Sequence, residues 1–259
     1  MNAAAAPLLA ARALAVRAGA RALVEALDLE VRPGEFVAVL GRNGSGKTLL
    51  LHTLAGLRVP AAGSLQLLGD SPATLTRREV ARRVALLPQD LEEMPGASVL
   101  ETVLVGRYAH RGALGGDDPR DAQQALEALR RLQVEALAGR EFATLSGGEQ
   151  RRVAVAAVLV QAAPLVLLDE PTNHLDPQHQ LAVLEVFAAQ ARAGGAVIAS
   201  LHDPTLAARH ADRVLLLHGD GRWQAGTATR LLEAATLSDL YLTRMIEVER
   251  DGRRIFAAA

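Results

Sequence analysis

The chain has 259 residues, of which 50% are hydrophobic and 22% are charged, and its formal net charge is −1. This composition is typical of a folded α/β domain and excludes intrinsic disorder, and the balanced charge excludes a basic field that holds nucleic acid or an anionic membrane by electrostatics alone. Because the sequence has no cysteine, disulfides, thiolate catalysis and cysteine-bound zinc are excluded as well.

The apolar segments predict neither a targeting element nor a membrane span. Arg12 and Arg17 interrupt the alanine-rich start, which we expect to lead into a strand rather than to act as a signal peptide. The longest apolar stretch, residues 153–168, is shorter than the ~20 residues of a bilayer span and contains Gln161 and Pro164. We therefore expect any membrane contact to run through a protein partner.

The first half of the chain alternates strand and helix patterns around a glycine-rich loop. The predicted strands lie at residues 8–16, 23–31, 36–40, 65–68 and 84–87. The run at 36–40 is continuously apolar, which is typical of a buried strand, and the glycine-rich loop 41–46 follows it. A helix is predicted from this loop through Leu57, and a second, charged helix at 76–83.

The second half begins with a mainly helical pattern from residue 89 to about residue 161. A polar insert at 111–120 interrupts it and predicts a surface loop. Beyond this region, strands are predicted at 165–168, 196–200 and 214–217, with a helix at 177–192 and a hairpin around Asp251 and Gly252.

Strands that alternate with helices predict a mainly parallel sheet. We therefore predict an α/β fold and a single domain over residues 1–259. Its core comes from residues 1–88 and 162–259, and a helical subdomain is inserted at 89–161.

The glycine-rich loop has the spacing of a phosphate-binding loop between a strand and a helix. Its residues are Gly41, Arg42, Asn43, Gly44, Ser45, Gly46, Lys47 and Thr48. The glycines let backbone N–H groups turn toward an anion, Lys47 is placed to meet the β and γ phosphates, and the Thr48 hydroxyl is a ligand for Mg²⁺. Lys47 is also the only lysine in the chain, whose other basic residues are arginines. The plainer interpretation is a glycine turn before a helix.

Two adjacent carboxylates, Asp169 and Glu170, follow the apolar run at 165–168. At the end of a parallel strand beside the phosphate loop, Asp169 would hold Mg²⁺ and Glu170 would polarise the water that attacks the γ phosphate. For an isolated pair, a solvated strand end before Pro171 would be the simpler interpretation. The phosphate loop upstream favours the functional one.

A second anion site is predicted where Ser146, Gly147 and Gly148 precede a long helix. With this segment, Leu-Ser-Gly-Gly-Glu-Gln at 145–150, the chain resembles the ATP-binding cassette ATPases, and the resemblance extends over nearly its whole length. Gln89 resembles the family's Q-loop glutamine, the segment from Asn173 to Asp176 its D-loop, and His202 its switch histidine.

The resemblance implies a P-loop NTPase core with N-terminal antiparallel β strands, ATP and Mg²⁺ as cofactors, and ATP hydrolysis as the activity. It implies catalytic roles for Glu170, His202 and Gln89, Mg²⁺ ligation by Thr48, Gln89 and Asp169, and nucleotide contact by Asp176. It further implies a head-to-tail dimer, in which the signature residues of one protomer close over the nucleotide bound to the other.

One segment departs from the family pattern, because residues 15–27 lack the aromatic side chain that usually stacks on adenine. Arg17 or Arg21 would have to cover the base through its guanidinium group.

Because no membrane span is predicted, we expect an importer ATPase whose two membrane-spanning permease subunits are separate chains. A solute-binding protein is expected as an indirect partner. Residues 102–112 and 201–226 resemble the cobalamin, ferric-siderophore and haem uptake ATPases. The alternatives are a cassette that acts on nucleic acid or the ribosome, an exporter ATPase with separate membrane subunits, and a regulatory module without turnover. The balanced charge and the absence of paired cassettes argue against a nucleic-acid partner.

We expect a peripheral location on the cytoplasmic face of the bacterial inner membrane. The permease is predicted to dock near Gln89 and residues 90–108, where Glu92, Glu93 and Arg107 supply charge.

Overall fold

The computed structural model describes residues 6–91, 95–111 and 118–259. Its strands are β1 Leu9–Ala18, β2 Arg21–Val31, β3 Phe36–Gly41, β4 Ala62–Leu67, β5 Val84–Leu87, β6 Leu165–Asp169, β7 Ala196–Ser200, β8 Arg213–Leu217, β9 Trp223–Thr227, β10 Met245–Arg250 and β11 Arg253–Ala258. Its α-helices are α1 Lys47–Leu54, α2 Arg77–Arg83, α3 Val99–Leu104, α4 Pro119–Arg131, α5 Gly147–Val160, α6 Pro177–Arg192, α7 Pro204–His210, α8 Ala228–Leu231 and α9 Ala234–Tyr241.

The central sheet has the strand order β5-β6-β7-β3-β8-β9 and is parallel except for the pairing of β8 with β9. Every residue of β3, β6 and β7 is buried, which explains their continuous apolar sequences. Parallel strands end at the same edge of a sheet, so the polar residues that follow β3, β6 and β7 lie near one another. This edge is where the candidate site forms.

A second, antiparallel sheet has the order β2-β1-β4 and packs its apolar face against α1 and one face of the central sheet. The prediction of an α/β fold with a mainly parallel sheet and N-terminal antiparallel strands is confirmed. The other face of the central sheet shares a core with α3, α4, α5 and α6. The division into a core and an inserted helical subdomain stays a prediction.

Helix α1 ends at Leu54, so the prediction of a helix through Leu57 was wrong. Gly56 adopts a left-handed φ of 71°, its N–H donates to the Thr53 carbonyl, and the N–H of Leu57 donates to the His52 carbonyl. These two bonds form a Schellman-type C-terminus, in which the left-handed residue stops the helix.

The polar insert is shorter than predicted at its carboxyl side. Helix α4 begins at Pro119 with Asp118 as its N-cap, so the last two residues of the predicted loop 111–120 are helical. Residues 112–117 of that loop lie outside the described residues. The terminal hairpin is confirmed, since β10 and β11 pair on either side of Asp251 and Gly252. Among the described residues, no helix is both long enough and apolar enough to cross a bilayer.

Candidate nucleotide site

The phosphate loop follows β3 and leads into α1 through two glycines in left-handed conformations, Gly44 at φ 74° and Gly46 at φ 102°. Two close approaches also require glycine. A Cβ on Gly41 would lie 2.5 Å from the Leu217 carbonyl oxygen, and one on Gly46 would lie 2.9 Å from the Leu23 Cβ. The loop is therefore held tightly between β8 and β2, with its N–H groups at the start of α1.

Lys47 lies at the centre of this loop and is only 6% exposed. Its ammonium group donates to the carbonyl oxygens of Gly41 at 2.9 Å and Arg42 at 3.4 Å. Burial lowers the pKa of Lys47, and the nearby carboxylates of Glu170 and Asp169 oppose that shift. A compact ammonium with three donors fits this position and has capacity left for an anion.

Asp169 is the last residue of β6 and is fully buried. Ser200, at the end of the neighbouring β7, donates from Oγ to Asp169 Oδ1 at 2.6 Å, and Ser200 Oγ also accepts from the Glu170 N–H at 2.8 Å. Asp169 Oδ2 is buried and has no hydrogen-bond partner within the described part of the chain. An orphaned carboxylate oxygen inside a protein is costly unless a cation or donor meets it.

Glu170 follows at a left-handed φ of 50°, which is strained for a residue with a Cβ. Its Oε1 lies 2.5 Å from His202 Nε2, and its Oε2 accepts from the side-chain amide of Asn173. Glu170 is 7% exposed, whereas the His202 side chain is 43% exposed. The carboxylate is thus held from two sides beside the opening of the pocket.

Lys47, Glu170 and His202 line one cavity of about 390 Å³, a size typical of small-ligand pockets. Its lining includes phosphate-loop residues 43, 44 and 46–48 together with Gln89, Glu170 and His202. Thr48 Oγ1 donates to Gln89 Oε1 at 3.4 Å across the mouth of the loop. The structure thus brings together the phosphate loop, the strand-end carboxylates, Gln89 and His202, which are far apart in sequence.

The oxygen atoms of Thr48, Gln89 and Asp169 suit a hard divalent cation such as Mg²⁺. The orphaned Oδ2 of Asp169 is the observation that fits such an ion. A single carboxylate with neutral oxygen donors is also the pattern expected where substrate phosphates complete the coordination of Mg²⁺.

Ser146, Gly147, Gly148 and Asp176 do not line this pocket. Ser146 is the N-cap of α5, where its Oγ and N–H both contact Glu149 Oε2 at 2.8 Å, and these bonds lower the pKa of Glu149. Asp176 is the N-cap of α6 and accepts from the His179 N–H at 3.0 Å. Within one chain both segments are therefore helix starts that lie apart from the phosphate loop.

Arg151, on α5, was not predicted as a site residue, and it connects three parts of the molecule. One guanidinium nitrogen donates to the carbonyl oxygens of Pro88 at 2.6 Å and Gln89 at 3.2 Å, and the other donates to those of Asp169 and, at 2.8 Å, Glu170. The side chain is 2% exposed, and burial lowers its pKa to about 10. Helix α5 also carries Glu149 and Arg152, so no sequence signal distinguished Arg151 from its charged neighbours.

Ser200 was also missed as a site residue. The signal was a hydroxyl at the end of the otherwise apolar run 196–200. Its two bonds, to Asp169 and Glu170, depend on β6 and β7 being neighbours in the sheet, which the sequence alone does not specify.

The predicted docking segment is described only in part, because Glu92 and Glu93 lie outside the described residues. The structure contradicts the prediction that Arg107 is a surface charge that contacts the permease. Its side chain is 15% exposed, bonds Asp121 Oδ1 at 2.8 Å, and donates to the Val160 carbonyl at 3.0 Å. Arg107 is therefore part of the packing between α4 and α5 rather than a free surface charge.

A phosphate loop with its lysine, a buried carboxylate with an unpaired oxygen and a strand-end glutamate have the pattern of a site for a nucleoside triphosphate. The model of the ABC transporter family matches residues 24–173. The hemin import ATP-binding protein HmuV of Streptomyces coelicolor is 43% identical over 235 residues, which cover 90% of this chain and 83% of that protein. The cobalamin import ATP-binding protein BtuD of Halobacterium salinarum is 37% identical over 230 residues, which cover 88% of this chain and 57% of that protein.

Two solved structures share the fold. A metal-chelate type ABC transporter in an inward-facing conformation has a TM-score of 0.84 at 27% identity and covers 98% of both chains. A dimeric ATP-binding cassette in a post-hydrolysis state with ADP and phosphate has a TM-score of 0.76 at 25% identity, covering 85% of this chain and 98% of that chain. The chain belongs to the ABC transporter family and is an ATP-binding ATPase cassette.

Proposed function

We propose that the chain is the ATP-hydrolysing subunit of an importer that takes up a metal chelate such as haem, cobalamin or a ferric siderophore. The observation that carries the hydrolytic part is the convergence of Lys47, Asp169 and Glu170 at the ends of β3 and β6. The import part is supported by the names of the hemin and cobalamin import relatives and by the metal-chelate type structure.

Residues 41–48 would hold the phosphates of ATP, with Lys47 facing the β and γ groups. Thr48, Gln89 and the orphaned oxygen of Asp169 would hold Mg²⁺, which neutralises charge on the phosphate oxygens when bound. Glu170 would accept a proton from the attacking water, since its carboxylate is already oriented by Asn173 and His202.

The signature residues Ser146, Gly147 and Gly148, and the D-loop residue Asp176, would act on the nucleotide of a second copy in a head-to-tail dimer. Their separation from the pocket of their own chain supports this arrangement, because only the nucleotide of another copy is available to them. The dimeric solved cassettes are a further support.

Two separate permease subunits would carry the substrate and a solute-binding protein would deliver it, with this chain peripheral on the cytoplasmic face of the bacterial inner membrane. The docking surface would lie near Gln89 and residues 90–108. No nucleic-acid partner is proposed, because the net charge of −1 offers no basic field.

The test mixes a Lys47→Ala protomer with a Ser146→Arg protomer. Each homodimer has two defective sites, whereas the heterodimer keeps one intact composite site, so ATP hydrolysis should return. Absence of recovery, with heterodimers shown by differential tags, would refute the composite site. Transport is tested separately by reconstituting the co-purified permease in vesicles and measuring ATP-dependent uptake of haem, cobalamin and a ferric siderophore.

A further inference from the structure

The C-terminal part of the chain folds back onto the segment that carries His202. Helix α9 and the hairpin β10–β11 form this unit, which we call the C-terminal brace. Leu237 and Leu240 of α9 and Phe256 of β11 are at most 6% exposed and belong to the core that α6 shares with the central sheet. Because a lone two-stranded hairpin is only marginally stable, this burial fixes the hairpin in place.

The brace is bonded to the segment around His202 at two places. The hydroxyl of Tyr241, the last residue of α9, donates to the His202 carbonyl oxygen at 3.4 Å. The Thr205 hydroxyl accepts from the Phe256 N–H at 3.0 Å and donates to the Phe256 carbonyl oxygen at 3.4 Å. Since Thr205 lies in the first turn of α7, the brace holds the chain both at His202 and at the helix that follows it.

These bonds matter for His202 because few other contacts locate it. Its side chain is 43% exposed, and Tyr241 is the one donor that the described residues supply to its backbone. On the amino side, the Leu201 N–H donates to the Val39 carbonyl oxygen at 3.0 Å, which is the last bond to the central sheet before the histidine. Beyond that bond, the position of the His202 backbone depends on the brace.

Tyr241 keeps the proton that its bond requires. Burial and the charge of Asp203 raise the pKa of Tyr241 to about 12, so the hydroxyl remains a donor at neutral pH. Because the bond goes to a backbone carbonyl, it leaves the His202 ring free to contact Glu170. His202 Nε2 lies 2.5 Å from Glu170 Oε1, so a small displacement of the backbone would break this contact.

We propose that Tyr241 and Thr205 are positioning residues for ATP hydrolysis, which hold the backbone of His202 so that its imidazole stays against the Glu170 carboxylate. The inference rests on the proposed function, because it takes Glu170 as the group that accepts a proton from the attacking water. Neither Tyr241 nor Thr205 lines the nucleotide pocket. The two hydroxyls therefore act on the rate of hydrolysis and not on the affinity for ATP.

The test measures single-turnover hydrolysis and ATP affinity of the full-length protein with Tyr241→Phe and Thr205→Val, each of which removes one hydroxyl. We expect the rate constant to fall about 2- to 10-fold in each variant, the size of one hydrogen bond, while the Kd of ATP changes less than about twofold. Thr229→Val is the matched control. The Thr229 carbonyl accepts from Arg254 of the same hairpin, but its hydroxyl bonds the Thr227 hydroxyl at 3.3 Å, so its loss should change neither quantity.

A double-mutant cycle shows whether the Tyr241 hydroxyl acts through the histidine. In a His202→Ala background there is no imidazole to position, so the addition of Tyr241→Phe should leave the residual rate unchanged. The His202 signal in proton–carbon correlation spectra of histidine-labelled protein, assigned by its loss in His202→Ala, does not depend on that rate. It should shift in Tyr241→Phe, which keeps the aromatic ring, and stay in place in Thr229→Val.

The outcomes separate this inference from the proposed function. A parent-like rate in either hydroxyl variant, a full additional loss in the His202→Ala background, or an unmoved His202 signal in Tyr241→Phe overturns the positioning role and leaves the proposed function intact. Failure of the parent protein to hydrolyse ATP, alone or with its permease, overturns the proposed function, and the positioning role falls with it.

Discussion

Replacing Arg151 by methionine is expected to slow hydrolysis much more than it weakens ATP binding. The Arg151 guanidinium donates hydrogen bonds to backbone carbonyl oxygens of residues 88–89 and 169–170. These two segments carry the side chains of Gln89, Asp169 and Glu170. Lys47 and the phosphate loop do not contact the guanidinium through any bond that the structure describes. Binding and chemistry therefore depend on different parts of the site.

The magnitude follows from the carbonyl groups left without a donor. Two of the four bonds, those to Asp169 and Glu170, are buried, but the Glu170 carbonyl keeps a second donor, the Asn173 N–H at 3.2 Å. At most the Asp169 carbonyl is therefore left unsatisfied in the interior, which costs about 1–3 kcal/mol. Burial of the charge opposes these bonds, as the lowering of the Arg151 pKa to about 10 shows. We expect the free energy of unfolding to fall by about 1 kcal/mol, the low end of that range.

Loosened peptide groups would displace Gln89 and Glu170 from their phosphate-facing positions. We expect kcat to fall about 10- to 100-fold, the effect of a displacement of about 1 Å, while the dissociation constant of ATP changes less than about threefold. On one preparation, urea unfolding measures the free energy of unfolding, equilibrium titration measures the dissociation constant of ATP, and steady-state hydrolysis measures kcat. Arg151→Lys keeps the charge and three donors and should recover part of the rate.

Arg152→Met is the matched control, because the neighbouring Arg152 also donates to carbonyl oxygens, those of Leu132 and Gln133, but away from the pocket. It should lower stability without a selective loss of kcat. A normal kcat in folded Arg151→Met, or equal rate losses in the Arg151 and Arg152 variants, would refute the positioning role.

Three further predictions concern the lysine, the glutamate and a buried histidine. Lys47→Ala should abolish ATP binding as well as turnover, because it removes the charge that faces the phosphates; near-normal affinity in a fluorescence titration would contradict that role. Glu170→Gln should retain ATP binding and lose hydrolysis by about 10²- to 10⁴-fold, and if it hydrolyses at the parent rate, another group is the base. Burial and the positive charges of Arg209 and Arg192 lower the pKa of His210, with Glu185 opposing them. The unfolded state therefore binds more protons below a pH of about 6.5, so stability should fall as the pH drops from there toward the folded-state pKa. Urea unfolding at pH 7.5 and 5.5 should show a smaller difference for His210→Gln than for the parent, and an equal difference would assign the acid sensitivity elsewhere.

Much of the fold could be predicted because its signals are local. The strands at 36–40, 165–168 and 196–200 are continuous apolar runs, and the helix 177–192 begins at a proline after an aspartate cap. Strand β9 and the helices after β7 were not predicted. Residues 223–227 are largely exposed and form a strand through hydrogen bonds to β8. No local sequence pattern indicates this pairing.

Part of the candidate site could likewise be predicted from local sequence, and part of it could not. Contiguous residues form both the series of glycines before Lys47 and the carboxylate pair after an apolar run. The sequence alone therefore determined the phosphate loop and the strand end that completes it. A contiguous motif needs only its own backbone to form, which is why it can be identified without the rest of the chain.

The tertiary structure decided which distant groups meet. The strand order places Ser200 against Asp169, the packing of α5 buries Arg151 among four carbonyl oxygens, and the β1–β2 turn places Arg21, but not Arg17, in the pocket wall. The tertiary structure also places Arg107 in an ion pair with Asp121 rather than on the surface. Each of these contacts joins residues separated in sequence, and its energy depends on burial and on distances of a few ångströms that only the packed chain defines.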